Sequence, residues 1–238
     1  MNIMITGAGG GLGSSLTALA LERGHVVYAS GREEGKVRNA LKKCLPVPER
    51  WESADRLHIC RMDVTNPEEV AAVAAQLEEG GIVLDGLIQC AGIMTGREET
   101  IETVDLSEVT ACFQVNTAGS MRVVQAMLPL IKKGRNPCII NISSEAGTII
   151  NAFPTNYPYS ISKAALNMFT ERLREHLKEW DILVYAVHPG WMRTNMGGVD
   201  APADPMDIAC GILDIVERKK KSYSKIAFID ATGRPMPL

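Results

Sequence analysis

"NIMITGAGGGLG", residues 2–13, runs a short β-rich segment, Asn2 to Thr6, straight into glycines, and helix-forming residues then continue to about Arg23. A glycine-rich run alone is weak evidence, because a flexible turn looks the same. The order strand, loop, helix is what makes it specific. Glycines let the backbone pass close to a pyrophosphate, and the helix N-terminus that follows supplies unpaired N–H donors and positive potential. The stretch therefore reads as the phosphate end of a dinucleotide site built from Thr6, Gly7, Gly11, Leu12 and Gly13.

Outward from that stretch, β-rich runs alternate with longer helical patterns: 2–6, 25–29 ("HVVYA"), 57–62 ("LHICRM"), 84–90 ("LDGLIQC"), 138–143 ("CIINIS"), 182–188 ("ILVYAVH") and 226–230 ("IAFID"). This alternation predicts an α/β fold of the Rossmann type, a doubly wound parallel sheet of about seven strands with helices on both faces. Such sheets bind ligands at the carboxyl ends of their strands. No Ser/Gly-rich linker or internal repeat interrupts the pattern, so residues 1–238 are expected to form a single domain. Residues 44–56 ("CLPVPERWESADR") are the least regular and read as a loop before the third strand.

The 46% hydrophobic and 22% charged content fits a soluble globule with one core. A net charge of −3 leaves no global positive field for nucleic acid, and the one basic run, Arg218 to Lys221, sits where a helix should end and complements its dipole. Six cysteines show no CxxC pairing, and three of them, Cys60, Cys90 and Cys138, lie in apparent buried strands. Reduced thiols in a cytoplasmic protein follow, and no metal site is assigned. The absence of a basic-then-apolar leader, or of about 18 consecutive apolar residues, argues against secretion and membrane insertion.

In "NAFPTNYPYSISKAALNMF", residues 151–169, Pro158 is placed for a first helical turn. Tyr159 and Lys163 are then i and i+4 on one face, whereas four on from Tyr157 is Ile161, which neither donates a proton nor stabilises a phenolate. If one phenol is an acid, it is Tyr159. The motif alone fits equally an aromatic residue and a surface charge on an amphipathic helix.

The glycine spacing, TGxxxGxG on Thr6, Gly7, Gly11 and Gly13, resembles that of the short-chain dehydrogenase/reductase family. The resemblance extends over nearly the whole chain: "MDV" with Asp63, "FQVNTAG" with Asn116, "INISS", Tyr159 with Lys163, and "HPGWMRT". The ending "FIDATGRPMPL" resembles the subgroup related to the bacterial C-factor signalling protein. One departure stands out: where the family usually has NNAG, this chain has Gln89, Cys90, Ala91 and Gly92. Ala91 and Gly92 keep the close approach to the cofactor, while the lost Asn side chains imply altered hydrogen bonding at that strand end.

The resemblance implies catalysis by Asn116, Ser144, Tyr159 and Lys163 on a small-molecule carbonyl or alcohol. Tyr159 would donate the proton. Bringing its pKa from ~10 toward ~7 needs about 4 kcal/mol, roughly what a cation ~4 Å away supplies at an effective dielectric of ~20. Lys163 is that cation, and an oxidised nicotinamide would add to it. Ser144, in the position after "NIS", would hold the substrate oxygen, while Ser143 satisfies local backbone groups. Asn116 would hold a water between Lys163 and solvent, or mark a helix bend. Tyr159 lies fifteen residues after Ser144, two more than in many members of the family, whose spacing would select Tyr157. The helical distance to Lys163 is rigid and the loop is not, which keeps Tyr159.

For the cofactor, the resemblance assigns Asp63 to the adenine, with Val64 also in the cofactor site, Ala91, Gly92 and Lys163 to the close approach and ribose, Pro189 and Gly190 to the nicotinamide, and Thr194 to its carboxamide or the diphosphate. Gly31 stands where an acidic residue would select NAD, and Arg32 follows it, which favours NADP(H) and leaves NAD possible against Glu33 and Glu34. Met94, Ile149, Phe153, Tyr157, Trp191, Met192 and Met196 are expected to line an apolar or aromatic substrate pocket. A homodimer or homotetramer through the helix around 107–131 and the Tyr159 helix is implied. The competing reading is a dinucleotide sensor of the same fold with little turnover, opposed by the intact Asn, Ser, Tyr and Lys set. A nucleotide-sugar epimerase is opposed by the glycine spacing.

Overall fold

The computed structural model describes residues 1–45, 47 and 49–238. Its strands are β1 (Asn2–Thr6), β2 (Val26–Gly31), β3 (Leu57–Arg61), β4 (Gly86–Gln89), β5 (Cys138–Ile142), β6 (Leu183–His188) and β7 (Phe228–Asp230). All pair in parallel in the order β3-β2-β1-β4-β5-β6-β7, so each expected run is a strand of one sheet. From β1 the chain winds outward to β2 and β3, then returns to lay β4 on β1's other side. The crevice where the winding reverses opens at the carboxyl ends of β1 and β4.

The helices are α1 (Gly11–Glu22), α2 (Glu34–Cys44), α3 (Glu49–Ser53), α4 (Pro67–Glu79), α5 (Leu106–Phe113), α6 (Ser120–Ile131), α7 (Tyr157–His176) and α8 (Pro205–Val216). The period of two divides the core. Ile3 and Ile5 of β1 join Val27, Ile140 and Ile229 beneath α1, α2 and α8, while Met4 joins Leu87, Ile139 and Val184 beneath α4, α6 and α7. Both faces are covered, which is why these strands read as near-continuous apolar runs. Each such side chain contributes roughly 1.5–3 kcal/mol on burial.

Local chemistry fixes the helices that carry the site. Asn66 caps α4, its Oδ1 accepting the Glu68 and Glu69 N–H groups at 3.0 and 3.1 Å, with Pro67 following in the first turn. Asn156, in the left-handed region at φ 62°, turns the chain into α7, so that helix begins at Tyr157, one residue before Pro158. The central helix expected around 107–131 is in fact α5 and α6 joined by a π-helical turn, Gln114–Gly119.

The loop expected over 44–56 is corrected: it holds α3, whose Trp51 packs against the first core cluster and lies 5.2 Å under the Arg56 guanidinium. Residues 46 and 48 of that stretch lie outside the described residues. The basic run follows the end of α8 as expected, Lys219 pairing with Glu217 at 2.6 Å and Lys220 with Asp214 at 3.2 Å. The cysteines are free; Cys138 is buried, but Cys60 and Cys90 are only half-buried. Among the described residues no helix is long and apolar enough to cross a membrane.

Candidate active site

The first helical bond of α1 runs from the Ser14 N–H to the Gly10 carbonyl at 2.9 Å, so the donors of residues 11–13 lie ahead of it. The glycines of the motif divide their work. A Cβ on Gly7 would stand 2.6 Å from the Ala91 nitrogen, and one on Gly13 only 2.3 Å from the Gly7 carbonyl oxygen. These two pack the loop against β4 and α1, and a Cβ on Gly11 would strike the Thr194 methyl at 2.6 Å. Thr6 is buried and its Oγ1 accepts the Ala91 N–H at 3.3 Å, pinning the end of β4 to β1. Leu12 turns its side chain into the core, leaving only its backbone for a ligand. Gly9 and Gly10, which the motif spacing passes over, join Gly7 along the cavity, whereas the expected Gly11, Leu12 and Gly13 do not line it.

That cavity, about 340 Å³, runs along the carboxyl ends of β1 to β4. Gly31, Arg32, Asp63, Val64, Ala91 and Gly92 line it as expected, and Lys36 joins them from α2. Lys36 pairs with Glu33 at 2.6 Å, so one of the two acidic neighbours of Arg32 already has a cation. A Cβ on Gly31 would meet Val37 at 2.8 Å, which leaves no room there for a carboxylate. Burial pushes the Asp63 carboxyl up, but hydrogen bonds from the Thr65 N–H and hydroxyl at 2.8 and 2.7 Å, with the charges of Arg32 and Arg122, hold it below the usual range. N–H donors at one end, with a carboxylate and two cations at the other, fit an elongated phosphate-bearing nucleotide.

At the end of β5 the two serines part. The Ser143 hydroxyl is buried and donates not to local backbone groups, as expected, but to the Asn167 side chain on α7, at 2.6 Å to Oδ1. Ser144 accepts the Ala146 N–H at 3.1 Å and caps the 3₁₀ turn Glu145–Gly147. Tyr159 is 7% exposed and shares a cleft with Ser144, whereas Tyr157 is not among the residues lining it. Lys163 Nζ lies 5.5 Å from the Tyr159 ring centre, donates to the Ile142 carbonyl at 2.7 Å, and approaches Gly92.

Two expectations about these side chains change. Burial pushes the Tyr159 phenol up to about 12, although the nearby Ser144 hydroxyl pulls the other way. Burial also pushes Lys163 down to about 8. The Coulomb argument from sequence left out this shared desolvation, which raises the phenol and lowers the lysine. Asn116 is buried with both amide hydrogens committed, to the Ile93 carbonyl at 2.9 Å and the Ser162 hydroxyl at 2.8 Å, while its Oδ1 accepts the Ile93 N–H at 2.8 Å. Its side chain braces the segment beside Gly92, and Asn116 lies within the π-helical turn that interrupts the central helix.

The second cleft, about 210 Å³, is lined by Met94, Trp191, Met192 and Met196 as expected, with Pro189, Gly190 and Thr194. Ile149 and Phe153, 85% and 59% exposed, do not line it, and neither does Tyr157. The loop after the 3₁₀ turn carries the first two out to solvent, and Tyr157 stands at the very start of α7. Arg97, Glu145 and His188 line the cleft instead, a polar contribution that was not expected, although His188 opens the "HPGWMRT" motif. Arg97 bridges its mouth by donating to the Met196 carbonyl at 2.8 Å.

The family model described as short chain dehydrogenase matches residues 1–204. Estradiol 17-beta-dehydrogenase 2 of Rattus norvegicus is 29% identical over 210 residues, covering 86% of this chain and 51% of that protein. The chain thus spans about half the length of the curated relatives of that name in rat and mouse. Among solved structures, the carbonyl reductase Sniffer of D. melanogaster superposes with a TM-score of 0.86 at 27% identity, covering 100% of this chain and 99% of that one. An NADPH-bound carbonyl reductase from chicken fatty liver gives 0.85 at 26% identity, covering 100% and 94%. Seven parallel strands in this order, a glycine loop at the switch point and a family match over most of its length place the chain in the short-chain dehydrogenase family.

Proposed function

We propose that the protein interconverts a carbonyl and an alcohol by hydride transfer with NADP(H), using Tyr159 as acid and base on an apolar small-molecule substrate. One observation carries this reading: Lys163 approaches Gly92 in the nucleotide cavity, and Tyr159, one turn earlier on α7, lines the adjoining cleft beside Ser144. One rigid helix spans both sites.

Bound NADPH supplies the hydride. Ser144 holds the substrate oxygen and Tyr159 gives it a proton. A phenol held at about 12 keeps its proton at neutral pH, which suits reduction. Lys163 keeps a positive charge at the nucleotide side below about pH 8 and draws the phenolate form down when Tyr159 has given up its proton. Asn116 fixes the Ile93 backbone next to Gly92. Arg32, Lys36 and the lack of a carboxylate at Gly31 support selection of the phosphorylated nucleotide, and the NADPH in the chicken carbonyl reductase agrees. The exposed apolar side chains Leu106, Phe113, Ile161 and Met168 on α5 and α7 support a homo-oligomer joined through those helices.

The test is a panel of aldehydes, ketones and secondary alcohols followed at the reduced-nicotinamide absorbance. Turnover with NADPH of at least one apolar carbonyl is expected. Tight NADPH binding with no turnover across the panel would favour a sensor of the dinucleotide.

A further inference from the structure

His188 ends β6 and lines the cleft with Ser144 and Tyr159; it opens the "HPGWMRT" motif, in which the resemblance gives cofactor roles to Pro189, Gly190 and Thr194 and none to His188. We propose that His188 is a positioning residue for Ser144: its unprotonated Nδ1 holds the Glu145 N–H, and protonation of the ring releases that bond and loosens the Ser144 turn. This rests on the carbonyl–alcohol reading above.

The Glu145 N–H lies 3.1 Å from His188 Nδ1. A backbone N–H only donates, so Nδ1 must present its lone pair, and the neutral ring carries its hydrogen on Nε2. Nε2 faces Glu145 Oε1 at 3.8 Å. Within the turn, Ser144 Oγ accepts from Ala146 and the Thr148 hydroxyl donates to the Glu145 carbonyl at 2.7 Å. Those bonds shape the turn, and the His188 bond ties it to β6. An imidazolium has no lone pair, so protonation sets two donors against each other across the same 3.1 Å.

The charged groups around the ring come from three sides. Glu145 faces it from the turn, and Asp230 is its register partner on β7. Tyr159 and Arg97 line the same cleft. Asp230 Oδ1 already accepts from the Thr232 N–H and hydroxyl and the Arg234 N–H, at 2.7, 2.7 and 3.0 Å. Burial lowers the His188 pKa against the pull of Glu145 and Asp230, so at neutral pH the ring is neutral and the bond intact. It is lost as pH falls below the ordinary histidine range.

The experiment measures kcat and KM for carbonyl reduction between about pH 5 and 8 in wild type, His188→Asn and His188→Phe, NADPH affinity by fluorescence, and the ¹⁵N shifts of the wild-type His188 ring. Asn offers an acceptor oxygen near the place of Nδ1 and does not titrate. It should keep kcat at pH 7.5 within about threefold and lose the wild-type acid limb, while Phe should lower kcat about tenfold at every pH with NADPH affinity held. The ring shifts should show a bare Nδ1 at pH 7.5. An acid limb that persists in His188→Asn, a folded His188→Phe with wild-type kcat, or a proton on Nδ1 at pH 7.5 would overturn the proposal. If wild type binds NADPH and reduces nothing, the carbonyl reading fails, and the ring shifts with the exchange rate of the Glu145 amide across the His188 titration then decide: a bare Nδ1 whose protonation speeds that exchange supports the anchor, and any other result rejects it.

Discussion

The Cβ that Gly147 lacks would stand 2.5 Å from the carbonyl carbon of Lys163, so the turn after Ser144 lies directly on the backbone of α7. This close approach brings Ser144 from β5 to Tyr159 on the preceding helical turn. Gly147→Ala must push the turn off the helix, at a cost of about 1–3 kcal/mol. Chemical denaturation should register that loss, and kcat should fall more than the KM for cofactor rises. Wild-type stability and rate in this variant would show that the contact does not hold Ser144.

Arg32 lines the first cavity from the β2–α2 connection and Lys36 from the first turn of α2. Arg32→Ala is expected to weaken NADPH about 10- to 100-fold and leave NADH within about twofold, in line with a lost charge-assisted contact. Lys36→Ala should act in the same direction but less, because Lys36 also serves Glu33. Fluorescence titration with both cofactors reads this. Equal affinities that neither substitution alters would contradict the assignment.

Much of this was legible because its causes are local. Strand runs buried on both faces announce themselves, the glycine loop names the switch point, and the i, i+4 relation of Tyr159 and Lys163 needs only a helix. What escaped depends on distance through space. Lys36 is four residues beyond Arg32, and nothing in its surroundings in sequence marks it as facing the cavity. Gly9 and Gly10 fall between the motif's signature positions. Ile149 and Phe153 are apolar and near the site in sequence, but the loop exposes them. Gln89 stands in place of a family Asn and rebuilds the polar link differently: it donates to the Ser120 carbonyl at 3.1 Å and to Asn141 at 2.8 Å, and Asn141 donates to Thr170 on α7 at 2.8 Å. Trp51, packed on the core, sits in a helix within the stretch that read as the least regular.

Burial lowers Lys163 from 10.5 to about 8, and the sign of its pH dependence follows. Between those values the unfolded chain holds a proton that the folded one has released, so stability rises with pH across that window and its contribution is lost as pH falls through about 8. Wild type minus Lys163→Met, by denaturant titration, should show this rise. Cofactor affinity should move oppositely, weakening as Lys163 loses its charge above about pH 8. A wild-type minus variant difference that is flat across the window would contradict a buried, depressed lysine.

Leu106, 70% exposed, and Met168, 64% exposed, lie on α5 and α7. If they are covered by a second copy, Leu106→Glu with Met168→Glu should convert the oligomer to monomer in sedimentation at micromolar concentration, since buried unpaired carboxylates are costly. A wild-type protein that sediments only as monomer would reject the interface.

Tyr159 and Tyr157 differ by a single hydroxyl from their phenylalanine variants, and only Tyr159 lines the cleft beside Ser144. The decisive measurement is kcat for an identified carbonyl substrate in Tyr159→Phe and Tyr157→Phe, with NADPH affinity measured in parallel. Tyr159→Phe should lose at least about a thousandfold while binding NADPH normally, and Tyr157→Phe should stay within about fivefold of wild type. An active Tyr159→Phe beside an inactive Tyr157→Phe would contradict the assignment of the acid and the chemistry built on it.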